Sequence, residues 1–191
     1  TRDAPYSFSF GVFPTIELMR FQAKFVEEVL LHSQGMQNEG VEKIQALCRT
    51  QRIPVRTDDR MIERLAPKEN TYALGVFQKY RYPLEISANH LVLVQPSDMG
   101  NLGTIIRTAL GFGVRNLALV RPAADIFDPR VIRASMGAVF QMHFSYFDQF
   151  DDYRAAYTHH LYPFMVQGRA ALHQVAFQSP YALVFGNESS G

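Results

Sequence analysis

The fold is decided by the stretch HLVLVQPSDMGNLGTIIRTALGFG, which runs from His90 to Gly113. Its first five residues form a run that is apolar throughout after the histidine, as expected of a β-strand that is covered on both faces. A polar loop follows, and apolar residues then recur at helical spacing until Gly113, which can end a helix in the left-handed conformation. A buried strand followed directly by a helix predicts an α/β fold, a mostly parallel sheet with helices on both faces.

The alternation of strand and helix continues to the end of the chain. Asp128-Pro129 is typical of a helix start, with a capping carboxylate and a proline in the first turn. We predict further strands at 116–120, 139–146, 161–166 and 181–185, and helices near 149–158 and 168–175. Ligands of such sheets bind beyond the carboxyl ends of the strands. A site is therefore expected in the segments 95–101, 121–128, 166–169 and 186–191.

The earlier part of the chain predicts a second, smaller α/β unit. Helical patterns occur at 15–22, at 40–49 and from Asp58 or Asp59 to Pro67, and strand patterns occur at 25–31, 53–56 and 72–80. Pro83 and the polar residues after it indicate a linker near 83–88. We therefore predict two domains, residues 1–85 and residues 88–191.

Composition excludes several classes of function. The 191 residues carry 19 basic and 18 acidic side chains, so any nucleic-acid binding has to come from a local patch. A single cysteine, Cys48, excludes an intramolecular disulfide and a cysteine-rich zinc site, and the six histidines have no metal-ligand spacing. We find neither an apolar run long enough for a membrane span nor the features of a signal peptide. The expectation is a cytoplasmic protein without a bound metal or a membrane partner.

The helix after the first loop carries a candidate catalytic arginine. Its predicted core stripe consists of Leu102, Ile105, Ile106, Ala109 and Phe112. Arg107 falls on the opposite side of the helix, together with Thr104 and Thr108. This arginine is either a solvated surface residue or, because the start of the helix lines a cleft, a group that meets a phosphate or a hydroxyl.

Two further segments contain candidate site residues. Arg130 and Arg133 are three residues apart and share a helix face, with Gly137 one turn beyond. This face can serve as a small basic surface for an RNA backbone or as a packing surface between helices. The segment 183–191 is a buried strand that ends in a glycine-flanked loop containing one carboxylate, and on spacing alone it could be any turn.

Together these segments resemble the SpoU (TrmH) family of RNA ribose 2′-O-methyltransferases, which is part of the SPOUT class. The first motif of the family is similar to Asn101–Ala109 followed by Gly111–Gly113, the intermediate Arg-Ala-Ser-x-Gly-Ala element to Arg133–Ala138, and the second motif to Leu183–Gly191. The match covers residues 90–191. Residues 8–80 resemble, more weakly, the ribosomal-protein-like RNA-binding domain that precedes many catalytic domains of this family.

The resemblance implies methyl transfer from S-adenosylmethionine to a ribose hydroxyl of a structured RNA, with ribosomal RNA favoured over transfer RNA. The implied catalytic residues are Arg107, Asn101 and Glu188, of which Asn101 orients the arginine and the loop. Cofactor contacts are implied for Gly186, Val166 and Gln167, and RNA contacts for Arg130, Arg133 and Ser135. Arginine side chains keep their proton, so charge stabilisation and positioning fit Arg107 better than the role of a general base.

The chain departs from the family pattern at one point. A third motif, a Ser-Leu-Asn segment with its following helix, should come after the second motif, and the given sequence stops at Gly191. In the family this tail threads a loop to form a trefoil knot, an exception among protein folds. It also supplies part of the cofactor pocket and much of the dimer contact. We expect a truncated copy of a complete enzyme, which would be a homodimer when whole.

Two other functions remain open at this stage. One is a non-catalytic RNA-binding module that keeps the methyltransferase fold but has lost its cofactor site. It would bind RNA in a salt-dependent manner without being stabilised by the cofactor. The other is a small-molecule enzyme that binds a phosphate group of its substrate with the loop 95–103. This interpretation requires setting aside two of the three motifs.

Overall fold

The computed structural model describes residues 4–66, 69–168 and 171–187, which form two β-sheets with helices packed against them. The strands of the first sheet are β1 (Tyr6–Phe10), β2 (Val26–Leu31), β3 (Val55–Thr57) and β4 (Ala73–Gln78). Its helices are α1 (Val12–Gln22), α2 (Glu39–Gln51) and α3 (Asp59–Leu65). The strands of the second sheet are β5 (His90–Val94), β6 (Asn116–Val120), β7 (His143–Phe147), β8 (His160–Phe164) and β9 (Tyr181–Phe185). Its helices are α4 (Met99–Gly111), α5 (Pro129–Ala134) and α6 (Phe150–Ala156).

The first sheet has the strand order β1-β4-β2-β3, antiparallel except for the β2–β3 pair. Helices α1 and α2 cover one face through a cluster that includes Ile16, Val29, Ile44 and the buried Cys48. Helix α3 covers the other face through Ile62, and its start is capped by Asp58, which accepts a hydrogen bond from the amide of residue 61. Strand β1 was not predicted, although its alternation of aromatic residues and serines has the period of a strand.

The second sheet has the order β7-β6-β5-β9-β8, and every pair of neighbours is parallel. This arrangement confirms the predicted mostly parallel sheet. Helices α4 and α5 pack on the face to which Leu91 and Leu93 of the central strand belong, and Tyr153 of α6 packs on the opposite face with Val92. The trefoil knot of the resemblance would involve chain beyond Asn187, outside the described residues.

Three details of the prediction were wrong. The strand expected at 139–146 begins only at His143, because residues 138–141 form a 3-10 turn after Gly137, whose φ is +80°. The helix expected at 168–175 is reduced to a 3-10 turn at 172–174. Phe112 does not complete the core stripe of α4: it caps the helix and is 84% exposed, because the chain turns away at Gly113.

A continuous apolar core joins the two parts of the chain. Leu18 and Phe77 from the first part belong to the same buried cluster as Phe127 and Phe140 from the second. Polar contacts add to it: the Ser7 hydroxyl donates to the carbonyl of Phe127 at 2.6 Å. Along the chain, the segment near 83–88, where we predicted the domain boundary, connects β4 of the first sheet to β5 of the second. In the described part of the chain no helix is both long and apolar enough to cross a membrane.

Candidate functional site

The carboxyl ends of the strands bring the expected loops together. Val94 of β5 is paired in register with Val120 of β6, and Leu93 is paired with Phe185 of β9. Parallel strands in register end at the same edge of the sheet, so the loops that follow them are neighbours. The loop segments 95–98, 121–128 and 186–187 therefore form one surface.

Hydrogen bonds connect these loops directly. The side-chain amide of Asn187 donates to the carbonyl of Gln95 at 2.9 Å, which ties the loop after β9 to the loop after β5. The amide of Ala124 donates to the carbonyl of Pro96 at 2.8 Å, which adds the loop after β6. Gln95 itself has a positive φ of 55°, an uncommon conformation for a residue with a side chain. The second motif segment is thus held against the loop that precedes the first motif.

Asp98 starts helix α4 at this surface. Its carboxylate accepts a hydrogen bond from the amide of Asn101 at 2.7 Å, as an N-cap residue does. Asn101 is exposed and lines a groove between α4 and the sheet. We call this the apolar groove. Its volume is about 660 Å³, and its lining includes Leu93, Ile105, Phe112, Val114, Leu183, Phe185, Gly186 and Asn187.

Arg107 lies on the outward face of α4. It is exposed, as are Thr104 and Thr108 at the rim of the apolar groove. Arg107 follows Asn101 by six residues, which places its Cα about 9 Å farther along the helix axis. Because Arg107 is exposed, it lies on the side of the helix that the sequence predicted. Its guanidinium group is accessible to a large ligand outside the groove.

A second cavity lies on the other side of the loop surface, and we call it the interdomain cleft. It has a volume of about 570 Å³ and lies between β1 and the loops after β5 and β6. The two cavities share Gln95, Ser97 and Asn187 as a common ridge. Tyr6 and Phe8 line the cleft from β1 and were not among the predicted site residues. The alternating pattern of that strand was the signal that could have revealed them.

The candidate RNA-binding residues are divided between the surface and the core. Arg130 lines the interdomain cleft and makes a two-pronged hydrogen bond with Asp128, both distances being 2.9 Å. The hydrogen bond from this guanidinium lowers the pKa of the Asp128 carboxyl below its ordinary value. Arg133 is exposed on α5. Ser135 is fully buried and donates its hydroxyl to the carbonyl of Ile132, so it is directed into the protein.

The candidate cofactor residues lie at the same edge of the sheet. Gly186 lines the end of the apolar groove directly after β9. Val166 and Gln167 are exposed and form a turn shortly after β8. The rings of Phe164 and Phe185 stack at a centroid distance of 4.5 Å, which sets the ends of β8 and β9 side by side. Glu188, the predicted acidic residue, lies outside the described residues.

The family of the chain follows from its sequence match. A sequence model of the SpoU rRNA methylase family matches residues 88–191, which include the loops and helices of the site. The chain belongs to the SpoU rRNA methylase family. The resemblance inferred from the motifs is thereby confirmed.

Individual SpoU relatives match parts of the chain. The mitochondrial rRNA methyltransferase 3 of Mus musculus is 40% identical over 79 residues, 36% of this chain and 19% of that protein. The 23S rRNA (uridine(2479)-2′-O)-methyltransferase of Streptomyces viridochromogenes is 28% identical over 123 residues, 58% of this chain and 42% of that protein. The chain thus spans less than half the length of each of these two relatives.

Solved structures of the SpoU family share the whole architecture. The SpoU methyltransferase AviRb from Streptomyces viridochromogenes, in complex with the cofactor AdoMet, superimposes with a TM-score of 0.79. It is 22% identical and covers 98% of this chain and 74% of its own. This likeness shows the fold of both parts. Among residues 4–66, 69–168 and 171–187, no group of three or more His, Cys, Asp or Glu side chains is placed to hold a metal ion.

Proposed function

We propose that this chain is the RNA-binding and catalytic part of an S-adenosylmethionine-dependent RNA ribose 2′-O-methyltransferase. The observation that carries the proposal is the SpoU family match over residues 88–191. It is supported by the relative named as a 23S rRNA 2′-O-methyltransferase and by the AdoMet complex of the structural relative. The arrangement of the motif loops at one edge of the parallel sheet supports a single site.

The residues present fit a cofactor of this size. The apolar groove, at about 660 Å³, falls within the range of roughly 300–1,000 Å³ that is usual for small-molecule sites. Its wall combines apolar side chains such as Phe185 with polar groups at the end formed by Gly186 and Asn187. Gly186 would hold the cofactor after β9, and Val166 and Gln167 would contribute from the loop after β8. Bound S-adenosylmethionine supplies an electrophilic methyl group on its sulfonium sulfur.

The chain itself has to activate the ribose hydroxyl, which is a weak nucleophile. Arg107 is the residue we assign to this task, because a fixed positive charge stabilises the oxyanion that develops during transfer. Its planar guanidinium group can also bind the phosphate next to the target ribose through two hydrogen bonds. Asn101 orients the loop at the start of α4 in this proposal, and Glu188 contributes a carboxylate from the second motif.

Ribosomal RNA is the proposed substrate class. Near-neutral net charge means that exposed arginines have to supply the contacts with the RNA backbone. Arg107 and Arg133 are exposed on α4 and α5, whereas Arg130 lines the interdomain cleft and is paired there with Asp128. The relatives named as rRNA methyltransferases support ribosomal RNA over transfer RNA.

Methyl incorporation by the protein that contains this chain tests the proposal. Tritiated S-adenosylmethionine and ribosomal RNA are the reagents, and the labelled riboses are mapped afterwards. We expect Arg107→Ala to lower the rate by about 10²–10³-fold, as loss of one oxyanion-stabilising donor does. Arg115→Ala is the matched control, because Arg115 is also exposed but precedes β6 at the opposite edge of the sheet. Full activity of Arg107→Ala would contradict the catalytic assignment, and salt-dependent RNA binding without methyl transfer would favour the non-catalytic module.

Assembly and location belong to the same proposal. We propose a homodimer, as the resemblance to the family implies, and light scattering of the complete protein tests it. We propose a cytoplasmic location from the sequence features, and cell fractionation tests it. A mitochondrial fraction would contradict this location and would agree with the name of the mouse relative.

A further inference from the structure

The interdomain cleft has an aromatic wall that the proposed catalytic roles do not use. Tyr6 and Phe8 of β1 line it, with ring centroids 5.6 Å apart and planes at 77°. Tyr6 is 45% exposed, and Phe8 is half-buried behind it. In the described sheet β1 pairs only with β4 and is therefore an edge strand. An open aromatic ring beside a cavity is a surface on which another flat ring can stack.

The charged groups of the cleft are already paired with one another. Lys79 lies 2.6 Å from a carboxylate oxygen of Asp125, and Arg130 is bound to Asp128. These two ion pairs leave the cleft locally near neutral, so it offers no concentrated positive charge for a phosphate group. A flat, uncharged body with hydrogen-bonding edges is a better complement. Among the parts of an RNA chain, a nucleobase meets this description.

The cleft is held at a set distance from the candidate active site. The Ser7 hydroxyl donates a hydrogen bond to the carbonyl of Phe127, so β1 is attached, next to Tyr6, to the loop that follows β6. The ridge of Gln95, Ser97 and Asn187 separates the cleft from the apolar groove and belongs to both. A nucleotide in the cleft is therefore adjacent to the loop that leads into the first motif.

We propose that Tyr6 is a stacking platform for an unpaired nucleobase of the RNA substrate, and that the interdomain cleft thereby selects which nucleotide reaches the site. The inference rests on the proposed function, because that function makes RNA the substrate. The base has to be unpaired, because a paired base is stacked within its own helix and cannot present a free face to the ring. Tyr6 is a substrate-binding residue in this proposal, and no reacting atom is assigned to it.

The chain allows a specific optical test, because it contains no tryptophan. In Tyr6→Trp the indole at position 6 is the only one in the chain, and stacking of a base on it quenches its fluorescence. The probes are a short single-stranded oligoribonucleotide and an abasic oligonucleotide of equal length, which keeps the phosphates but lacks the bases. We expect quenching by the first and little by the second. The control is Phe21→Trp, at a similarly exposed aromatic position on α1 (42%).

Activity provides a second readout in the protein that contains this chain. Tyr6→Val removes the ring but keeps a residue that suits a strand, and thermal unfolding checks that the variant is folded. We expect its KM for RNA to rise on the order of tenfold, with the rate at saturating RNA largely kept, because one base–aromatic stack is lost. Tyr6→Phe, which keeps the ring, should have the same KM for RNA as the unaltered protein.

The outcomes separate this inference from the proposed function. Equal quenching by the abasic probe, or an unchanged KM in Tyr6→Val, would overturn the stacking role while methyl transfer by the protein stands. Base-dependent quenching at position 6 in a protein that transfers no methyl group would overturn the proposed function and support the stacking role.

Discussion

A Cβ atom added to Gly103 would lie 2.5 Å from the Cβ of Ala134 and 2.7 Å from the carbonyl oxygen of Val131. Gly103 belongs to the first motif and Ala134 to the intermediate element, so the backbones of α4 and α5 touch at this point. The glycine is therefore required for packing between the two motif helices rather than for approach to a ligand.

Gly103→Ala should destabilise the protein by about 1–3 kcal/mol, because the added methyl group overpacks the contact between α4 and α5. Urea unfolding of the two proteins measures the difference. Gly111→Ala on the same helix is the control: a Cβ there meets nothing within 4 Å, so the better helix propensity of alanine should leave stability equal or slightly higher. Equal stability of Gly103→Ala and the unaltered protein would refute the packing argument.

The Lys79–Asp125 ion pair should couple the two parts of the chain. Both side chains are about four-fifths buried, so a double-mutant cycle with Lys79→Met and Asp125→Asn should give a coupling free energy of about 0.5–3 kcal/mol. The exposed pair Arg154–Asp151 on α6 serves as the comparison, with a coupling of at most about 0.5 kcal/mol expected. Simple additivity at positions 79 and 125 would mean that this ion pair does not help to join the two parts of the chain.

His90 should make stability fall in mildly acidic solution. Burial lowers the pKa of this histidine, whose Nε2 lies 2.8 Å from the carbonyl of Glu85 and whose Nδ1 lies 3.0 Å from the Tyr153 hydroxyl. The unfolded chain then binds the proton more tightly than the folded protein does. Stability is fully present above the unfolded pKa of about 6.5 and decreases as the pH falls below it.

Unfolding free energies between about pH 8 and about pH 5 measure this effect. His90→Gln should lose part of the acid-dependent decrease, whereas His160→Gln should keep it, because His160 is exposed. An identical decrease in both variants would assign the pH dependence to other groups.

Cys48 should be protected from thiol reagents in the folded protein. It is buried in the core of the first part, and burial raises the pKa of its thiol to about 11. Alkylation near the ordinary thiol pKa of about 8.5 should therefore be slow until urea unfolds the chain. Thr50→Cys, on the exposed side of α2, should react in the native state and provides the comparison. Equal native rates at the two positions would contradict the protection.

The sequence by itself determined the local elements and the family of this protein. The strand 90–94, the helix after the loop that follows it and the Asp128-Pro129 helix start were all recognisable, because strand and helix periodicity and capping depend on residues close in sequence. The carboxyl-edge location of the loops after 94, 120 and 185 followed from the parallel sheet. The motif residues around Arg107 and Gly186 identified the family, which the match over residues 88–191 confirmed.

Only the tertiary structure decided which distant surfaces meet. Periodicity indicated neither that Ser135 is buried nor that Phe112 is exposed, because both depend on what packs at the ends of their helices. The interdomain cleft is made by β1 and by the loops after β5 and β6, which are distant from it in the chain, and the Ser7–Phe127 hydrogen bond joins β1 to the second of these loops. Contacts of this kind depend on how two complete surfaces fit together, and no local sequence pattern records that fit.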